Sequence, residues 1–336
     1  MSTPSDTVPT GASPLLSVRG LNVTYGRGRR SAPALCAVNF DLAPGEIVGI
    51  LGESGSGKST LALSLLGLLA DKAIIEGSIV FQGQELLEAR ESCWQSIRGA
   101  RISSIFQDPG LALSPVMRVG DQIAEVIRAH RPSNRKALKQ ECEAILREVR
   151  LPEVERVYNA YPHQLSGGQL HRISIAQALV CRPELIIADE PTRSLDVTVQ
   201  MEILDVLRSI NRKWGSALIF ITHNPALLAG FADRVIVMYA GRIVEDGPAT
   251  RVFRRPLHPY TKGLLQLIPG GSQQENVMQR GRLPAIPGSL TDADRLTQGC
   301  IFEPRCSARI ALCQEESPTE IAPERGRRVS CFNYGD

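Results

Sequence analysis

A chain of 336 residues with 43% hydrophobic and 22% charged residues has the apolar material for one large α/β domain with appendages, and it carries no Gln/Asn or Gly/Ser tract. Its formal net charge of +3 is small for this size and points to no polyanionic partner. The longest apolar runs, such as LALSLLGLLA and SALIFIT, fall short of the ~18 residues of a membrane-spanning helix, so a membrane role must go through a partner.

The opening stretch MSTPSDTVPTGASP has neither a basic nor an apolar segment of signal-peptide type, and residues 1–14 are expected to form a flexible arm. An alternating strand, LNVTYG, follows and ends near Tyr25. Next, IVGILGESGSGKSTLALSLLGLL runs from an apolar strand through a Gly-rich loop into a helix. The loop, Gly52, Glu53, Ser54, Gly55, Ser56, Gly57, Lys58 and Ser59, fits G-x-x-x-x-G-K-[ST], and Thr60 continues into the helix. Backbone N–H groups in such a loop wrap phosphates, and the helix N-terminus adds partial positive charge. Lys58 then reaches the β and γ phosphates of ATP, and Ser59 helps to hold Mg²⁺.

Between residues 88 and 165 the segments DQIAEVIRAH and NRKALKQECEAILREVRL are predicted helices. In the second, Ala137, Leu138, Cys142, Ile145, Leu146 and Val149 form one apolar stripe. LSGGQ, Leu165–Gln169, opens a further helix with a Ser-Gly-Gly turn, a second place where a hydroxyl and exposed amides can meet an anion. ELIIADE, Glu184–Glu190, reads as a buried parallel strand delivering carboxylates at its C-terminal end. Asp189 suits the Mg²⁺ shell, and Glu190 is placed to polarise an attacking water. The stretch VIVMYAGRIVEDGPA supplies the last core strands. Four of the eight cysteines, Cys300, Cys306, Cys313 and Cys331, crowd the tail. In a reducing compartment, clustered thiols suggest a metal site before a disulfide framework.

These motifs, in this order from about residue 16 to about residue 250, resemble the nucleotide-binding subunit of an ABC transporter. LSGGQ is that superfamily's signature. The resemblance implies an α/β P-loop NTPase core with an antiparallel β subdomain, spanning residues 15–255, and a helical subdomain inserted at about 88–165. It also implies roles by position. Gln107, in SIFQDP, matches the glutamine that senses Mg²⁺ and the γ-phosphate. Ser166, Gly167, Gly168 and Gln169 would contact ATP held by a second subunit, so that hydrolysis needs a head-to-tail dimer. Ser194, Leu195 and Asp196 match the loop that crosses that dimer interface. His223, in LIFITHNP, matches the switch histidine that bonds the γ-phosphate, and Tyr25 matches the ring stacked on adenine. The sequence departs from the usual pattern at Leu170, His171, Arg193 and Asn224, none of which removes a group assigned to chemistry.

VFRRPLHPYTKGLL, with HPYTKGLL at 258–265, and LPAIPGSL resemble the C-terminal extension of the oligopeptide, dipeptide and nickel branch of ABC importers. YPHQLSGG and IADEPTRSLDVTVQ are similar to that branch too. The branch implies an ATPase subunit that powers uptake of peptides or a related solute, seated on the cytoplasmic face of the inner membrane. Its partners would be a second ATPase subunit, a related chain in preference to a second copy, two membrane permease subunits and, indirectly, an extracytoplasmic solute-binding protein. No nucleic acid is expected, because no coiled-coil insertion, second cassette or basic linker is present. The extension, 256–336, would carry the four cysteines as ligands of a [4Fe–4S] cluster, with Zn²⁺ as the alternative. Such a metal would supply folding energy to a tail too polar to build its own core.

Overall fold

The computed structural model describes residues 13–26, 31–70, 72–193, 195–266, 286–290 and 298–334. Most of the expected N-terminal arm, Ser194 and the first three residues of LPAIPGSL lie outside the described residues.

A four-stranded antiparallel sheet of order β2-β1-β4-β5 is built from β1 (Leu16–Tyr25), β2 (Ala32–Leu42), β4 (Ala73–Phe81) and β5 (Gln84–Glu85). In β1 the buried residues step from Leu16 and Val18 to Leu21 and Val23, an odd interval that flips the alternation. A bulge at Arg19–Gly20 absorbs the extra residue. Asn39 accepts a bond from the Gly20 N–H (2.7 Å) and Asn22 accepts one from the Ala37 N–H (2.9 Å), pairing amides that the bulge takes out of the ladder.

The second sheet has eight strands in the order β11-β12-β10-β9-β3-β8-β7-β6. Its strands are β3 (Ile47–Leu51), β6 (Ile102–Ile105), β7 (Leu185–Asp189), β8 (Ala217–Thr222), β9 (Arg234–Tyr239), β10 (Arg242–Pro248), β11 (Ile321–Glu324) and β12 (Arg327–Val329). From β9 to β6 the pairing is parallel, and β10, β12 and β11 add antiparallel strands beyond β9. Burial of both faces explains why β3, β7 and β8 read as unbroken apolar runs. Val48, Ile50, Ile187, Ile219 and Ile221 face the antiparallel sheet and α1 (Lys58–Leu65). Their neighbours Leu51, Ile186, Ala188, Leu218 and Phe220 face the opposite layer.

α2 (Glu91–Ile97) packs on the antiparallel-sheet side through Trp94 and Ile97, and the opposite layer holds, after the edge strand β6, α3 (Pro109–Ala112), α4 (Val119–His130), α5 (Arg135–Glu148), α6 (Val154–Asn159), α7 (Gly167–Leu179) and α8 (Val197–Trp214). Asn134 caps α5 by accepting from the Ala137 N–H, and Leu138, Cys142, Ile145 and Leu146 are buried as the stripe predicts. In α8, capped by Asp196 and ended by Gly215 at φ 71°, Ile203, Leu204, Val206, Leu207 and Ile210 pack inward. Each such side chain contributes about 1.5–3 kcal/mol relative to exposure. No helix among the described residues is long and apolar enough to cross a membrane.

After α9 (Ala249–Arg254) and α10 (Pro259–Leu265) the tail folds back onto the cassette. Tyr260 is fully buried against Tyr239 and Phe302, with ring centroids 4.8 and 5.4 Å away. Glu245 of β10 accepts bonds from the N–H groups of Leu257 (3.0 Å) and His258 (2.9 Å) and from Arg327 of β12 (2.7 Å). That ion pair is buried on both sides, at 1% and 0% exposure.

The expected metal cluster is corrected here. Among the described residues no group of three or more His, Cys, Asp or Glu side chains is arranged to hold a metal ion. Cys300, Cys306, Cys313 and Cys331 are free thiols, the third of them buried. Burial pushes the Cys300 thiol up to about 11 and raises Cys306 and Cys331. The premise that the tail needs its own staple also fails. Ile301 and Phe302 enter the core of the cassette, and β12 adds to its sheet, so the tail borrows a core already built.

Candidate functional site

β3 ends at Leu51, and the next six residues turn back on themselves to start α1 at Lys58. The turn requires glycine where it is tightest. A Cβ on Gly52 would lie 2.4 Å from the Met238 carbonyl, and Gly57, the residue before α1, sits at φ 101° with the Ala34 carbonyl 2.8 Å from its missing Cβ. The turn between β9 and β10 braces the loop, since the Gly241 N–H donates to Ser56 (2.9 Å) and the Gly241 carbonyl accepts from Cys36 of β2 (2.9 Å).

Lys58 is buried, and its Nζ donates to the carbonyls of Gly52 (2.8 Å) and Glu53 (2.7 Å) and to Ser56 Oγ (3.3 Å). Burial lowers its pKa, while the charges of Glu190, Asp189 and Glu53 oppose that shift. The loop's lysine and the two acids at the end of β7 therefore share one electrostatic environment. Asp189 closes β7 and bonds with Ser59, and burial raises its carboxyl pKa, with Glu190 adding to the rise and Ser59 and Lys58 opposing it. Its Oδ1 atom is buried without a hydrogen-bond partner. An orphaned carboxylate oxygen beside a serine hydroxyl is a hard-oxygen donor set that fits Mg²⁺.

Glu190 follows at φ 47°, in the left-handed region, where a residue with a side chain incurs roughly 1–3 kcal/mol of strain. Its N–H donates to Ile221 of β8 (3.0 Å), which fixes the bend. Glu190 Oε1 then lies 2.9 Å from His223 Nδ1, just past the end of β8, and Oε2 accepts from Arg193 at 3.3 Å. Gln107 is exposed, two residues beyond Ile105, which pairs with Ala188, so it leaves the sheet at this same end.

The remaining predicted residues stand further out. Tyr25 is half-buried at the end of β1, two residues beyond Val23, whose partner Leu35 packs on Gly57. Ser166 caps α7: its Oγ accepts from the Gln169 N–H (3.3 Å), and Gln169 Oε1 accepts from the Ser166 N–H (3.0 Å). A hydroxyl that accepts in this way keeps its proton for another acceptor. Asp196 is occupied as the cap of α8, accepting from Val199 N–H at 3.0 Å.

Two residues absent from the sequence reading touch the loop directly. Arg305 forms a two-point pair with the Glu53 carboxylate (2.8 and 3.1 Å), and the Tyr260 hydroxyl accepts from the Glu53 N–H (2.8 Å). Tyr260 lies in HPYTKGLL, and Arg305 directly precedes Cys306 in the cysteine-rich tail, where no pattern along the chain sets it apart.

Residues 35–193 match the family described as ABC transporter, and residues 244–313 match the one described as oligopeptide/dipeptide transporter, C-terminal region. The chain is 43% identical over 324 residues to the oligopeptide transport ATP-binding protein OppD of Salmonella typhimurium, covering 96% of this chain and 95% of that protein. It is also 43% identical to OppD of Escherichia coli, over 96% of this chain and 94% of the relative. Among solved structures, the dimeric post-hydrolysis ATP-binding cassette MJ0796 bound to ADP and Pi superimposes with a TM-score of 0.63 at 29% identity, covering 70% of this chain and 98% of that one.

Proposed function

The chain belongs to the ATP-binding family of ABC transporters, in its oligopeptide and dipeptide branch, and from that premise we propose that it hydrolyses ATP to power uptake of oligopeptides through separate permease subunits. The observation that carries this reading is the meeting of Lys58, Ser59, Asp189, Glu190 and His223 at one end of a parallel sheet. In this reading Gly52 to Thr60 wrap the phosphates, Lys58 gives up loop carbonyls for phosphate oxygens, and Tyr25 stacks on the base. Ser59 and Asp189, with Gln107 at the rim, would hold Mg²⁺, which when bound would supply positive charge to offset that developing on the phosphates. Glu190 accepts a proton from water as its oxygen attacks the γ-phosphorus and the β–γ bridge breaks. His223 holds the Glu190 carboxylate in place.

Ser166 to Gln169 and Asp196 would act across a dimer, on nucleotide held by a second ATPase subunit. The branch favours a related, distinct chain for that subunit. The site is then completed by assembly, at the cytoplasmic face of the inner membrane, against two permeases fed by a solute-binding protein. Peptides are the substrate this reading favours, over nickel chelates.

The direct test is Lys58→Ala in the full chain, followed by nucleotide binding and by peptide uptake in the assembled transporter. Both are expected to be lost. Retention of Mg²⁺-dependent ATP binding would overturn the assignment of the loop.

A further inference from the structure

The Gly52–Ser59 loop contains an inconsistency: its second residue, Glu53, puts a carboxylate into a turn read as an anion site. The structure answers that charge from a segment 252 residues away. Arg305, 7% exposed at its side chain, lays its guanidinium fork on both Glu53 oxygens. The fork is itself fixed by the carbonyls of Pro287 (2.7 Å) and Gly288 (3.2 Å) and by the Tyr239 hydroxyl (3.4 Å). Tyr260 takes the Glu53 N–H, and the Glu53 carbonyl accepts from Lys58. Side chain, N–H and carbonyl of one residue thus link the tail to the phosphate-binding lysine. Leu290 approaches Gly55 as well, 3.6 Å from where a Cβ would stand.

We propose that Arg305 and Tyr260 are positioning residues for nucleotide binding: they hold the first turn of the loop through Glu53 and cancel the Glu53 charge that would otherwise repel phosphate. This rests on the nucleotide-site reading above. A loop pinned before binding loses less conformational freedom when ligand arrives, and a paired carboxylate exerts little field on its neighbours. The tail is then part of the nucleotide site's support, and its docking sets ATP affinity.

The test is equilibrium titration of the full chain with trinitrophenyl-ATP and Mg²⁺, with thermal melting to verify folding. Arg305→Ala is expected to weaken binding roughly three- to tenfold, the size of one unscreened charge near the phosphates at intermediate dielectric. Adding Glu53→Gln to that variant removes the stranded charge and is expected to restore most of the lost affinity. An arginine that merely anchored the tail would give no such recovery, so its absence overturns the proposal, as does wild-type affinity in Arg305→Ala. Tyr260→Phe removes one hydroxyl and carries the test should Arg305→Ala fail to fold. About fivefold weaker binding is expected, from one lost hydrogen bond, and an unchanged value there overturns the proposal. Lys58→Ala runs alongside: if it binds nucleotide like wild type, the site reading itself has failed, and if it alone loses binding, only the role of Arg305 and Tyr260 has.

Discussion

Replacing Glu245 with alanine strikes the attachment of the tail at one point. The carboxylate is fully buried and receives three donors: Arg327 Nη2 and the N–H groups of Leu257 and His258. Removing one member of a buried ion pair costs about 3–5 kcal/mol, and Glu324, one-third exposed and 3.7 Å from Arg327 Nη1, offsets only part of the charge left behind. Each amide left unbonded adds about 1–3 kcal/mol if water cannot reach it. The three donors form one cluster, so the terms overlap, and a total of roughly 4–6 kcal/mol is the reasoned expectation. Urea unfolding of the full chain, followed by tryptophan fluorescence, measures it, and limited proteolysis reports release of the tail. The double variant Glu245→Ala with Arg327→Met removes the stranded cation and leaves the two amides unpaired, so it is expected to regain roughly 2 kcal/mol or more over the single variant. A single variant within about 1 kcal/mol of wild type, or a double variant no more stable than the single, would refute the claim that the Arg327 charge dominates the cost.

Acid sensitivity should arise next to that pair. His258 is fully buried, and burial holds its pKa at about 3, far below its ordinary value. The folded state excludes a proton that the unfolded chain takes up below pH ~6.5, so stability falls on acidification, with a slope approaching ~1.4 kcal/mol per pH unit from this group. His258→Asn keeps a side-chain oxygen to cap α10; comparing urea midpoints at pH 7.5 and 5.5 should show a flatter dependence in the variant, and identical dependence would remove His258 as the cause. In the nucleotide site, Glu190→Gln is expected to retain ATP binding while slowing phosphate release by a factor on the order of 10²–10⁴, the range for loss of a general base. A rate within a factor of two of wild type would mean that another group activates the water.

Much of the nucleotide site is written in local patterns. The run from β3 through the loop to α1 shows as an apolar strand, glycines at tight turns and a helical period. Both faces of β7 are buried, so it reads as an unbroken apolar run ending in two acids. Ser166 and Gln169 have the spacing of a capping box and form one. What stays hidden is pairing between distant segments. IAPE and RRV carry no alternation that would mark β11 and β12 as strands, because each is short and takes its stability from the edge of a finished sheet. Arg305 looks like one basic residue among 38 Lys and Arg until Glu53 is seen beside it. The cysteines drew the tail toward a metal reading because spacing along the chain says nothing about where the thiols point. The left-handed turn at Glu190, which brings its carboxylate to His223, has no sequence signal either, since a strand end with two acids is compatible with many backbone paths.

The contact between Arg305 and Glu53 also bears on the order in which the protein is made. Synthesis delivers the N-terminal segments first, so the phosphate loop emerges long before the residue that steadies it. A chain cut short ahead of residue 305 would carry every residue from Gly52 to Ser59 and still lack the Arg305 half of the Glu53 pair. Competence to hold nucleotide tightly is thereby tied to completion of the polypeptide, and an unfinished copy is set apart from a finished one at the site where the difference matters most.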